Sequence, residues 1–134
     1  EAVIFFRPEC ARAAMYERKQ LTQLASKMRF IAAQFEAYLQ DDLWLQLAAH
    51  SNEMANYMAS GIRKLDGVTL TCQPQANGLF AVMPREAIER LRKEYCFYDW
   101  DEERNEVRWM CSFDTTREDI DRFIAVLKRI LSHG

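Results

Sequence analysis

Arg108 is the residue whose surroundings most suggest chemistry. It is the single cation in an apolar stretch, residues 107–113, VRWMCSF. Alternation along a strand puts Arg108, Met110 and Ser112 on one face and Val107, Trp109, Cys111 and Phe113 on the other. The second set reads as core. The first presents a guanidinium beside small or soft side chains. A planar fork in that setting can hold a carboxylate through two parallel hydrogen bonds. The plainer alternative is an exposed arginine paired with a nearby acid. A second group of cations, Arg18, Lys19, Lys27 and Arg29, surrounds an expected helix start near Thr22 or Ser26. Cations there oppose the helix dipole. A bound phosphate would offset that penalty, because first-turn amides and arginine together make an anion site. The alternative is a set of solvated charges whose stems cover apolar surface.

The elements that must carry these residues follow from hydrophobic periodicity. Residues 2–6 (AVIFF) form a continuous apolar run, as in a strand buried on both faces. Pro8 suits the first turn of a helix reaching about Arg18, with thin apolar content. Leu24, Met28, Ile31, Phe35 and Tyr38 or Leu39 recur at helical spacing. Asp41 and Asp42 read as N-caps for a long helix over residues 43–64. Its buried stripe is Leu43, Leu47, His50, Met54 and Tyr57 or Met58. His50 reads as a core or interface histidine with a satisfied ring nitrogen, and the methionines as core filler.

Asp66-Gly67 is a turn. Strands are expected over 68–72, 78–83, 95–100 and 107–113, the second apolar throughout and so central. Pro84 starts a helix to about Lys93, with Ile88 and Leu91 inward. Thr115 with Glu118, or Thr116 with Asp119, offers a capping box for the last helix. There Ile120, Phe123, Ile124, Leu127 and Ile130 or Leu131 face inward. Residues 42–134 are therefore expected to form an α+β domain: a small, mostly antiparallel sheet packed by helices on one side. Residues 1–41 read as a strand and helices connecting it to something further upstream.

The totals narrow the function classes. The chain has 134 residues, a net charge of −2 and 49% hydrophobic residues. The acidic balance argues against nucleic acid, although residues 1–30 carry a surplus of three positive charges. The four cysteines, Cys10, Cys72, Cys96 and Cys111, include no CxxC pair, and there are two histidines. Free thiols in a reducing cytoplasm are expected, with no metal site. No apolar run is long enough to span a membrane, and no signal peptide is expected.

EAVIFF, RKQLTQLASKMRFIAAQ, HSNEMA, NGLFAVMP and VRWMCSFDTTREDID, in that order, resemble one family. It is the threonine aldolase and β-eliminating lyase family of pyridoxal-phosphate enzymes, of aminotransferase fold type I. The resemblance covers about residues 1–131 and matches the C-terminal portion of a member. SKMRF and VRxxxxFDTTRED are its most specific pieces. It implies pyridoxal 5'-phosphate as cofactor, a small amino acid as substrate and a homo-oligomer. By the same resemblance Arg29 reaches the cofactor phosphate, Lys19 lies near it, and Arg108 binds the substrate carboxylate. The lysine that forms the Schiff base with the cofactor belongs upstream of Glu1, so no catalytic residue is assigned and the chain alone is expected to be inert.

The chain also departs from the pattern. Leu21 to Lys27 has no glycine, Lys19 and Arg29 are ten residues apart, and Cys111-Ser112 stands where many members have Thr-His. These departures leave the substrate open between threonine and a related amino acid, and aldol cleavage open against β-elimination. A free-standing α+β interaction module is the alternative from another class.

Overall fold

The computed structural model describes residues 3–132. The chain divides into two compact units, Glu1–Leu43 and Trp44–Gly134.

The first unit is helical. It contains α1 (Pro8–Ala11), α2 (Ala14–Gln20), α3 (Met28–Leu39) and a single 3-10 turn, Gln40–Asp42. The strand expected over residues 2–6 is not formed at Val3–Phe6; Ala2 lies outside the described residues. A strand needs a neighbour for its backbone donors and acceptors, and none of the sheet's strands comes from this part of the chain. The helix expected from Pro8 to Arg18 is two short helices, with no buried residue in either. A stretch with only Met15 and Tyr16 as large apolar residues offers no face to anchor a longer one.

α3 starts later than Thr22 or Ser26. Thr22 and Lys27 have φ of 55° and 61°, and a left-handed residue cannot lie inside a right-handed helix. Asp41 and Asp42 also differ from the expected extended N-caps. Their φ values are 51° and 57°, and they turn the chain just before α4 (Leu43–Ile62). Aspartate is among the residues that tolerate this backbone.

The second unit is the expected α+β sandwich. After α4 come β1 (Thr69–Leu70), β2 (Gly78–Val82), α5 (Arg85–Leu91), β3 (Tyr98–Asp101), β4 (Glu106–Met110) and α6 (Arg117–Leu131). The strands are ordered β1-β2-β4-β3 and every pairing is antiparallel. β2 is interior, as its apolar sequence suggests. Gly67, at φ 84°, makes the turn out of α4.

One face of the sheet builds the core. Leu79, Ala81, Val107, Trp109 and Cys111 are buried there against Met54, Met58 and Ile62 of α4, Ile88 and Leu91 of α5, and Ile120, Phe123, Leu127 and Ile130 of α6. Phe123 sits edge-on to both Tyr95 and Trp109, at 5.0 and 5.1 Å between ring centroids. Such pairs contribute beyond their buried area.

Two strands are displaced from their expected bounds. Tyr95 still donates its N–H to the Leu91 carbonyl at 3.0 Å, so the turn after α5 occupies the start of the expected third strand. At the far end of β4, Cys111 N–H reaches Asn77 O at 2.9 Å. Ser112 N–H then donates to Thr115 Oγ1 at 2.8 Å, which turns the chain away from the sheet. Phe113, expected in the core, is therefore 61% exposed.

Thr115 is thus engaged, and the capping box of α6 is made by Thr116 and Asp119. Asp119 N–H donates to Thr116 Oγ1 at 3.2 Å, and Thr116 N–H donates to Asp119 Oδ2 at 3.0 Å. Thr116→Ala should cost about 1 kcal/mol of stability, read as a lower urea midpoint at unchanged slope. The Asp119 carboxyl is held below the usual carboxylate range by the Thr116 hydroxyl, then by the Thr116 amide and Arg122. Its contribution is present above the unfolded carboxylate pKa and fades as pH falls through the depressed folded value. Asp119→Asn should flatten that acid limb of the stability profile.

Candidate substrate-binding site

The face of the sheet opposite the core carries the candidate site. The register sets Arg108 between Phe80 of β2 and Tyr98 of β3. A shift between Asp99 and Asp101 interrupts the ladder next to them, and Trp100 lies within it. The Arg108 guanidinium carbon stands 5.3 Å from the centre of the Trp100 ring. Phe80 meets the same indole edge-on at 5.0 Å. From the core side, Asp99 is tied to α5: Arg92 pairs with it at 2.7 Å and Arg85 at 3.7 Å.

Arg108 is half-buried, and its Nε is shielded from water with no hydrogen-bond partner. Among the described residues, no carboxylate lies within ion-pair distance of it. Glu106, also on this face, is itself buried, and its carboxylate accepts a hydrogen bond from the Thr71 hydroxyl at 2.6 Å. The plainer reading of the sequence, an arginine paired with a neighbouring acid, is therefore not what the fold builds.

Arg108 is among the residues that line two cavities. One, of about 440 Å³, lies between Phe80, Met110 and the polar loop that carries Gln73, Gln75 and Asn77. The other, of about 340 Å³, is mainly aromatic, with Tyr95, Phe97, Trp109 and Phe123 in its wall. Asn77 is fixed by its side-chain amide, which donates to the Cys111 carbonyl at 2.8 Å. A cation with no carboxylate at ion-pair distance among the described residues, on a face that also carries an amide-lined concavity, can take a small anion and orient what is attached to it.

The second cationic group is arranged differently from the expectation. Arg18 and Lys19 lie in the last turn of α2, where positive charge suits the helix dipole. Lys27 is the residue before α3, and Arg29 alone lies in the first turn. That turn has no acidic residue and no side-chain cap. Lys19 and Arg29 are both exposed. Arg29 with the first-turn amides of α3 is a donor set that fits a phosphate. Lys19 adds positive charge in the same unit; Arg108 belongs to the other unit.

His50 Nε2 lies 2.8 Å from the Thr115 carbonyl, so one ring nitrogen is satisfied. The cysteines are free thiols. Cys111 is buried, and burial pushes its thiol pKa up. Among the described residues no group of histidine, cysteine and carboxylate side chains could hold a metal ion, and no helix is long and apolar enough to cross a membrane. Sequence reasoning did not find Trp100. The signal was available only in part: Trp100 falls on the Arg108 face only once the hairpin register and its irregularity are known.

The fold matches that of fold-type I pyridoxal-phosphate enzymes, in which it is a small α+β domain. It superposes on glycine decarboxylase, the P-protein of the glycine cleavage system, with a TM-score of 0.64 at 20% identity, covering 74% of this chain and 24% of that one. The likeness to a threonine aldolase from Leishmania major is stronger: TM-score 0.78 and 28% identity over 90% of this chain and 36% of that one. No protein-family model matches the chain.

Two curated low-specificity L-threonine aldolases match nearly its whole length. The Pseudomonas aeruginosa protein is 43% identical over 123 residues, 91% of this chain and 34% of its own. That of another Pseudomonas is 38% identical over 133 residues, 98% of this chain and 38% of its own. The chain is thus homologous to threonine aldolases, and it spans a little over a third of the length of the curated relatives it matches.

Proposed function

We propose that this chain is the C-terminal part of a pyridoxal-phosphate-dependent lyase of threonine-aldolase type, which cleaves a β-hydroxy-α-amino acid to glycine and an aldehyde. The observation that carries this reading is Arg108: half-buried, placed over an indole at 5.3 Å, and without an acidic partner among the described residues. Such a guanidinium suits the α-carboxylate of an amino acid, because its fork fixes the carboxylate in a plane and so fixes the rotation about Cα. Arg29, helped by the α3 amides and by Lys19, would hold the cofactor phosphate. The cofactor supplies the electron sink for breaking the bond at Cα. This chain supplies grip and orientation, while the reactive lysine and the base belong to the rest of the protein. In this reading residues 1–41 connect to the larger domain and residues 42–134 are the small domain.

Homo-oligomer formation belongs to the same proposal. The first unit leaves large apolar side chains uncovered, among them Ile4, Phe6 and Phe30, and such surface favours association. Four free thiols suit a cytoplasmic setting.

The chain alone should be catalytically inert. Mixed with pyridoxal phosphate and reduced with borohydride, it should carry no stoichiometric adduct at a defined lysine by mass spectrometry. One lysine labelled to completion would contradict the assignment of the reactive amine to another part of the protein.

A further inference from the structure

We propose that Trp100 is a positioning residue for Arg108: its indole face holds the guanidinium so that the donors of the fork stay available to a carboxylate. The proposal rests on the reading of Arg108 as the carboxylate grip. Arginines are usually oriented by an acid, which neutralises them and occupies their donors. An aromatic face orients the same group by attraction to its π-cloud and uses no N–H donor. The separation of 5.3 Å from guanidinium carbon to ring centre is within the range of that interaction. The indole is itself held. Phe80 meets it edge-on, and the strand irregularity that sets it there is anchored through Asp99 to Arg92 and Arg85. Trp100 is 57% exposed, so its place in the fold is not that of a core residue.

The test compares equilibrium binding of glycine and of ethylamine to the full-length protein, read from the absorbance of its cofactor. Ethylamine presents an amine without a carboxylate. Trp100→Leu should weaken glycine roughly tenfold and leave ethylamine unchanged, and Trp100→Phe should recover most of the loss. Added to Arg108→Gln, Trp100→Leu should have no further effect, since the two act through one contact. If Arg108→Gln weakens glycine and Trp100→Leu does not, the positioning role is overturned while the Arg108 reading stands. Equal loss of both ligands in Trp100→Leu would mark a general structural effect and also overturn it. If Arg108→Gln itself leaves glycine binding intact, the underlying reading fails first.

Discussion

Arg108→Gln in the full-length protein should raise the amino-acid concentration needed for half-saturation by roughly 30- to 150-fold. The figure follows from hydrogen bonds to a charged group, about 2–3 kcal/mol when lost, converted at 1.4 kcal/mol per factor of ten. Three features make the loss large. The guanidinium is half-buried, so its attraction to a carboxylate is less screened than at an open surface. Among the described residues no acid competes for it. Glutamine keeps a single donor group, its amide NH2, but neither the charge nor the fork. Arg108→Lys should recover part of the affinity through charge alone. The folded state should barely notice either change, because the side chain leans on Trp100 and not on the core. Steady-state kinetics with the amino acid as variable substrate, with a thermal melt as control, would check it. Unchanged half-saturation would exclude a carboxylate contact.

Leu127→Ala should lower the melting temperature of the second unit by roughly 8–40 °C. Leu127 is fully buried in α6, within the one cluster that joins the helices to the sheet. Removing a buried leucine to alanine costs about 2–5 kcal/mol, the spread reflecting how far the site collapses. A unit this small loses about 4–8 °C per kcal/mol. Trp44, Trp100 and Trp109 all lie in the second unit, so tryptophan fluorescence follows its unfolding. Lys128→Ala, one position along on the exposed side of the helix, should change stability by no more than about 0.5 kcal/mol. A similar melting temperature for both variants would show that α6 is not the keystone of this core.

The second unit could be read from the sequence because its signals agree with one another. The apolar run of β2, the stripe of α6 and the Thr116–Asp119 box all point to one sandwich. The alternation at Val107, Trp109 and Cys111 assigned the buried face correctly and left Arg108 on the other. It failed at Phe113, where a side chain–backbone bond from Ser112 to Thr115 ends the ladder early. Period alone cannot foresee that bond.

The first unit was poorly readable for a physical reason. No residue of α1, α2 or α3 is buried, so its apolar positions are not organised by a core that periodicity could report. Left-handed backbone at Thr22, Lys27, Asp41 and Asp42, all non-glycine, decided the helix bounds there. At the candidate site, the arginine was visible as an odd charge in an apolar strand. Its aromatic support was not, because Trp100 reaches it from another strand and Phe80, which meets Trp100, lies on a third.

The most direct measurement is a crystal structure of the full-length protein with its cofactor and glycine bound. The account predicts the glycine carboxylate against the Arg108 guanidinium, both oxygens within hydrogen-bond distance, with Trp100 stacked behind it. A carboxylate held by other residues, with Arg108 left in solvent or turned onto an acid, would contradict it.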